Sequence, residues 1–165
     1  MTLTRTRANA LGMRLRLLPL LALLAACAPS RIPGTEVPDS KENRAVYEVI
    51  RQYADALRKK DVGAILKLVS EDYYDGSGTP DPGDDITRET LEKNLATDLS
   101  KVESVMLELG VKKIEVTGDE ARAEVFYDAA YRVVTPTGPI AKRPSDLSQM
   151  RFRKVKGNWR ISAGL

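Results

Sequence analysis

Ala121-Arg122-Ala123-Glu124-Val125-Phe126-Tyr127-Asp128-Ala129-Ala130-Tyr131-Arg132-Val133 alternates over its length. Ala121, Ala123, Val125, Tyr127, Ala129, Tyr131 and Val133 share one face, against Arg122, Glu124, Phe126, Asp128 and Arg132. A period of two sustained this long predicts an antiparallel strand with one buried side. Gly118-Asp119, just before it, reads as a tight turn. The run ahead of that turn, from about Ser104, places Val105, Leu107, Leu109 and Val111 on one face, then Ile114 and Val116. That change of phase after Gly110 predicts one extra residue at the glycine, a β-bulge that bends the sheet. Downstream, a loop with Pro136, Gly138, Pro139 and Pro144 leads to a strand over about 147–156. Gly157-Asn158 then turns the chain into a last strand whose Trp159, Ile161 and Ala163 share a face.

Upstream the apolar period lengthens. Asp39 and Glu42 have the spacing of an N-cap and its N3 partner. Val46, Val49, Ile50, Tyr53 and Leu57 follow at intervals of three and four, a helix expected to end at Lys59 and Lys60. Asp61 can cap a second helix carrying Ile65, Leu68 and Val69 inward, and Thr87 a third carrying Leu91, Leu95 and Leu99. Residues 72–85 between them are turn-like. Three helices followed by antiparallel strands predict an α+β domain over 39–165, its helices packed on one face of a strongly bent antiparallel sheet.

The first residues read differently. Arg5, Arg7, Arg14 and Arg16 precede an apolar stretch from Leu17 to Ala26 that is too short to span a bilayer and is interrupted by Pro19. Leu24-Ala25-Ala26-Cys27 resembles the bacterial lipobox, which implies cleavage before Cys27 and acylation of its thiol. Residues 1–26 are therefore expected to be a signal peptide. Residues 27–38, with Pro29, Pro33 and Pro38, are expected to form a lipidated cysteine and a Pro-rich tether. The expected address is the cell envelope, lipid-anchored, in the outer membrane of a Gram-negative bacterium, since Ala28 follows the cysteine where some bacteria read aspartate as an inner-membrane signal.

Removing such a signal changes the charge. The chain has 26 Lys plus Arg against 23 Asp plus Glu; the four signal arginines reduce this to 22 against 23, a net −1. Basic and acidic residues are interspersed, so no nucleic-acid partner is expected. There is no histidine, and the one cysteine is the lipidation candidate. That leaves no Ser-His or Cys-His machinery, no disulfide and no zinc site of the usual nitrogen and sulfur kind. No cofactor and no metal is expected. The loop aspartates Asp72, Asp75, Asp81, Asp84 and Asp85 do not follow EF-hand spacing.

Several fragments in this order carry a resemblance: Lys60-Asp61-Val62-Gly63-Ala64-Ile65-Leu66, Leu68-Val69-Ser70-Glu71-Asp72-Tyr73, Val116-Thr117-Gly118-Asp119-Glu120-Ala121-Arg122-Ala123, and Arg151-Phe152-Arg153-Lys154-Val155-Lys156-Gly157-Asn158-Trp159-Arg160-Ile161. Together they resemble the nuclear transport factor 2-like superfamily, a cystatin-like α+β cone. The resemblance implies a bent sheet wrapped round the long helix and a conical, mostly apolar pocket. That superfamily includes isomerases, dehydratases, cyclases and non-catalytic binders, so the fold locates a site without naming an activity. The dehydratase-like members use a histidine, which this chain lacks. The motifs of the ketosteroid isomerase-like members are not matched residue by residue.

Tyr53, Tyr127, Tyr131 and Trp159 are the pocket-lining candidates, although an ordinary core uses the same residue types. Lys142, Arg143, Arg151 and Arg153 form a candidate anion-binding patch or the charged margin of an exposed loop and edge strand. No catalytic residue is assigned. The expected function is a membrane-anchored envelope lipoprotein whose pocket-forming domain binds a small apolar ligand or an envelope protein without catalysis. Two alternatives stand beside it: an isomerase or lyase using a carboxylate and tyrosines in the same cavity, and a structural or assembly factor with a filled core. The oligomeric state stays open, a homodimer included.

Overall fold

The alternation at 121–133 forms the middle of a 16-residue strand, and the rest of the fold is arranged around it. The structure is a computed structural model that describes residues 30–76, 78 and 81–165. Its folded unit is Arg31–Leu165. The signal segment 1–26 and Cys27 lie outside the described residues.

Helix α1 (Lys41–Arg58) is followed by α2 (Val62–Leu68), a small β1 (Tyr74–Asp75) and β2 (Ile86–Thr87) pair, and α3 (Arg88–Ser100). Five strands complete the chain: β3 (Val102–Thr117), β4 (Glu120–Thr135), β5 (Gly138–Lys142), β6 (Ser145–Val155) and β7 (Asn158–Ala163). The large sheet is antiparallel with order β3-β4-β6-β7, and β5 also pairs with β4. β4 is long enough to pair with two strands along one edge, β6 along Glu120–Asp128 and β5 along Tyr131–Thr135. Three helices on a bent antiparallel sheet make the α+β domain expected from the residue order, in the cone that the resemblance implies.

The caps follow local chemistry. Asp61 accepts a hydrogen bond from the Ala64 amide at 2.9 Å, and Thr87 from that of Thr90 at 3.3 Å. α1 departs from expectation: Ser40, not Asp39, is the N-cap and accepts from the Asn43 amide at 3.1 Å. Asp39 instead pairs with Arg44. The hydroxyl wins the cap because Asp39 lies one residue too early, where its carboxylate meets a guanidinium instead. At the far end, Arg58 Nε donates to the Leu107 carbonyl at 2.8 Å and Lys60 Nζ to that of Val102 at 2.7 Å. These two cations fasten the C-terminal end of α1 to β3.

Three further expectations need correction. The phase change in β3 is a bulge between Val111 and Lys113, whereas Gly110 pairs regularly with Phe126. The additional residue is Lys112, exposed like its neighbour Lys113, so the extra side chain goes to water. A second shift lies between Val102 and Val105, and the two bulges bend the strand. The proline-rich loop after Thr135 holds a strand, β5, whose Pro139 sits opposite Val134 at the sheet margin, where a missing amide is tolerated. Residues 31–38, expected to be tether, belong to the folded unit. Ile32 and Val37 are 3% and 1% exposed in the main core, and Arg31 bridges to Pro38. Two apolar side chains among the prolines suffice to fold this hairpin-like turn back on the domain.

The main core joins Val46, Val49 and Ile50 of α1, Ile65 of α2, Val111 and Ile114 of β3, Ala121, Ala123 and Val125 of β4, Phe152 of β6, and Trp159 and Ile161 of β7. Ala121 lies opposite Phe152 and Ala123 opposite Met150, so small residues on β4 leave room for large ones on its neighbour. A second cluster, much smaller, holds Ala54, Leu107 and Ala129.

Candidate functional site

Leu107 and Ala129 of the second cluster form the floor of a two-lobed cavity on the concave face of the sheet. The inner lobe, about 340 Å³, is lined by Tyr53 and Leu57 of α1, Leu107 and Leu109 of β3, and Val125, Tyr127, Ala129 and Tyr131 of β4. Pro144, Ser148 and Met150, and the terminal Gly164 and Leu165, complete it. The outer lobe, about 440 Å³, is bounded by Leu99 and Lys101 at the end of α3, by Val102 and Val105 of β3, and by Val133 and Lys142. Leu57, Leu107, Ala129 and Tyr131 are walls of both lobes. Each volume falls in the range of small-molecule sites.

Strand parity and helical spacing put these side chains together. Leu107 and Ala129 are direct cross-strand partners, as are Leu109 and Tyr127, and Val105 and Tyr131. Tyr53 and Leu57 are one helical turn apart and so face the same stretch of sheet. β5 contributes Lys142, which lies directly opposite Tyr131 and therefore on its face of the sheet.

The polar side chains of the inner lobe are uncharged. The hydroxyls of Tyr53, Tyr127, Tyr131 and Ser148 have no hydrogen-bond partner among the described residues. Burial, with a smaller contribution from nearby Tyr73, pushes the Tyr53 phenol up to about 12. It therefore stays protonated and available as a donor at any physiological pH. Tyr73 is also raised, chiefly by burial. Its hydroxyl accepts from the Leu165 amide at 3.1 Å and donates to the Leu165 carbonyl at 3.4 Å. Asp75 Oδ2 accepts from the Gly164 amide at 2.7 Å. These bonds hold Gly164 and Leu165 against the inner lobe.

Of the four aromatic candidates, Tyr53, Tyr127 and Tyr131 meet in the cavity. Trp159 does not. It is 3% exposed in the main core, its indole Nε1 donates to Glu42 Oε2 at 3.0 Å, and Lys154 Nζ lies 5.0 Å from its ring centroid. Trp159 and Ile161 of β7 are part of the main core, with Trp159 tied to the start of α1 through Glu42 and neither residue lining a lobe. Cys27 is outside the described residues. The basic patch divides: Arg151 pairs with Asp75, Arg153 with Asp72 and Arg143 with Asp128, whereas Lys142 stands alone on the cavity side. Sequence reasoning passed over Ala129 as a shared wall and the 164–165 segment as a side of the inner lobe. An alanine in an alternating strand and a short C-terminal tail carry no distinguishing signal.

The acidic loop has structural work. Asp81 accepts from the Gly83 amide at 2.9 Å, Asp85 takes the Tyr74 hydroxyl, and Asp72 takes Arg153. Among the described residues, no three acidic, histidine or cysteine side chains converge as a metal site, and no helix is long and apolar enough to cross a membrane.

No protein-family model and no curated protein matches this chain. Solved structures do. A ketosteroid isomerase-like protein from Erwinia carotovora atroseptica aligns with a TM-score of 0.63 at 15% identity, over 76% of this chain and 95% of the other. A conserved protein from Planctomyces limnophilus gives 0.62 at 15%, over 74% and 92%. A candidate dehydratase of the nuclear transport factor 2-like family from Streptomyces avermitilis gives 0.58 at 14%, over 74% and 92%. At such identities the likeness is one of fold, and the fold of Arg31–Leu165 is nuclear transport factor 2-like.

Proposed function

We propose that the chain is an envelope lipoprotein, anchored by lipid on Cys27, whose cone binds a small apolar ligand without chemistry. The observation that carries the binding reading is the two-lobed cavity with its shared apolar wall of Leu57, Leu107 and Ala129. A filled-core structural factor would have no use for that space. The isomerase or lyase reading needs a carboxylate beside the tyrosines. The one acidic side chain lining either lobe is Asp98, at the outer rim, 3.9 Å from Lys101. Dehydratase and isomerase names among the structural neighbours belong to those proteins, and 14–15% identity does not transfer them.

Uptake of the neutral fluorophore phenylnaphthylamine tests the reading. The protein should bind it, and Ala129→Phe, which fills the wall between the lobes, should abolish uptake while the circular dichroism stays native. Uptake unchanged by the filled wall would refute the cavity as the binding site. The anchor is tested separately: Cys27→Ser should leave the protein out of the membrane fraction. Since the folded unit starts at Arg31, lipid on Cys27 would leave a link of at most about 14 Å to the domain, far shorter than the tether first expected.

A further inference from the structure

The two lobes differ in charge, and the difference specifies a ligand. Resting on the ligand-binding reading above, we propose that the cavity takes an anionic amphiphile, its apolar tail in the inner lobe and its head group at the outer lobe on Lys142 and Lys101. The side chains of the inner lobe offer an anion only neutral hydroxyls, so a charged head would lose its hydration there without a counter-charge. The outer lobe has cations at its rim. The Lys142 ammonium makes no hydrogen bond or ion pair among the described residues, and the residue lies directly across from Tyr131, the aromatic wall common to both lobes. Lys101 reaches Asp98 only at 3.9 Å with both side chains largely in water, a weak competitor for an incoming anion. Lys60 adds positive charge at the same margin, its Nζ on the carbonyl of Val102, which lines the lobe. Cations at a water-exposed mouth and an uncharged interior match a molecule with one anionic end.

The test is displacement of phenylnaphthylamine from the full chain carrying Cys27→Ser, which has no acyl chains of its own to occupy the cavity. Three competitors share one tail: dodecanoate, dodecanol and dodecyltrimethylammonium. Dodecanoate should compete about fivefold better than dodecanol, the scale of a partly exposed charge pair, and the cation worst. The double variant Lys101→Met, Lys142→Met changes two exposed side chains and should erase the preference while leaving dodecanol unchanged. Strong salt should shrink it in the unaltered protein. Equal displacement by acid and alcohol overturns the head-group assignment and leaves the cavity reading standing. So does a preference for the cation, or one that survives in the double variant. If none of the three displaces the fluorophore, both readings fall.

Discussion

The two ends of the cone are built from the same strands and end in opposite ways. At the narrow end, Ala121 and Ala123 of β4 lie beside Phe152 and Met150 of β6, and with Trp159, Ile161 and the apolar face of α1 they form one continuous core. At the wide end the same strand presents Tyr127, Ala129 and Tyr131, and only Ala54, Leu107 and Ala129 are buried together. The cause is length. The 18 residues of α1 rise about 27 Å, whereas the 16 residues of β4 extend for about 53 Å. A helix that stops at Arg58 cannot cover the whole strand, and α3 covers only part of the remainder through Leu95 and Leu99. What lies beyond the helix is the cavity. An alternating strand therefore becomes core or site according to what reaches it.

The sharpest way to break this contrast is to truncate one large side chain at each end. Phe152, 2% exposed, should cost about 3–5 kcal/mol as Phe152→Ala, because the surrounding core cannot collapse into the space. Tyr131→Ala already faces a cavity and should cost about 1 kcal/mol. Urea unfolding with an unchanged slope measures both. Similar losses would mean that the wide end is packed in solution as tightly as the narrow one.

Gly164 comes next, as the point where the C-terminal segment closes the inner lobe. It has φ +92, and a Cβ there would lie 2.2 Å from the Gln149 carbonyl oxygen and 2.9 Å from Met150 Cα, both backbone atoms that cannot step aside. Gly164→Ala should cost about 2 kcal/mol or more and push Leu165 off the lobe. The same variant should take up more phenylnaphthylamine. Unchanged stability and unchanged uptake together would show that this segment is no wall of the site.

Much of the narrow end was legible in the sequence, because burial on one face is what a period of two records. The strands around Ala121–Val133 and Trp159–Ala163, the caps Asp61 and Thr87, and the helix faces from Val46 to Leu57 all followed from local pattern. The existence of a β3 bulge was legible, but not its position, since a glycine draws attention that Lys112 does not. Trp159, Tyr127 and Tyr131 were all read from the same signal, strand parity. Parity tells which face a side chain takes, but not which end of that face the helix covers. Ile32 and Val37 were hidden by their prolines, because composition reports flexibility while two apolar side chains decide packing.

A smaller effect separates the ends by their response to acid. Glu42 at the narrow end accepts from Lys154 Nζ at 2.9 Å and from Trp159 Nε1, and these bonds hold its carboxyl below the ordinary 4.5. A depressed acid contributes stability that is present above its unfolded value and is lost as pH falls through the folded one. The unfolding midpoint should therefore decline below about pH 4.5, and Glu42→Gln, which keeps an acceptor for the indole, should flatten that decline. An identical pH profile for the variant would remove Glu42 from the account of how the narrow end is fixed.

The smallest expected effect concerns one exception within the sealed end. Ser70 is 2% exposed, and its Oγ has no hydrogen-bond partner among the described residues, although its amide donates to the Ile161 carbonyl at 2.8 Å. The backbone bond locates the residue; the hydroxyl is an unmet polar group in an apolar setting, which costs free energy. Ser70→Ala keeps the amide and removes only that oxygen, so stability should be unchanged or higher by up to about 1 kcal/mol. A loss of that size would mean that the oxygen is paired in solution, by water or by a rotated neighbour. The narrow end would then be less dry than its packing implies, and the distinction between a sealed core and an open cavity would soften at that point.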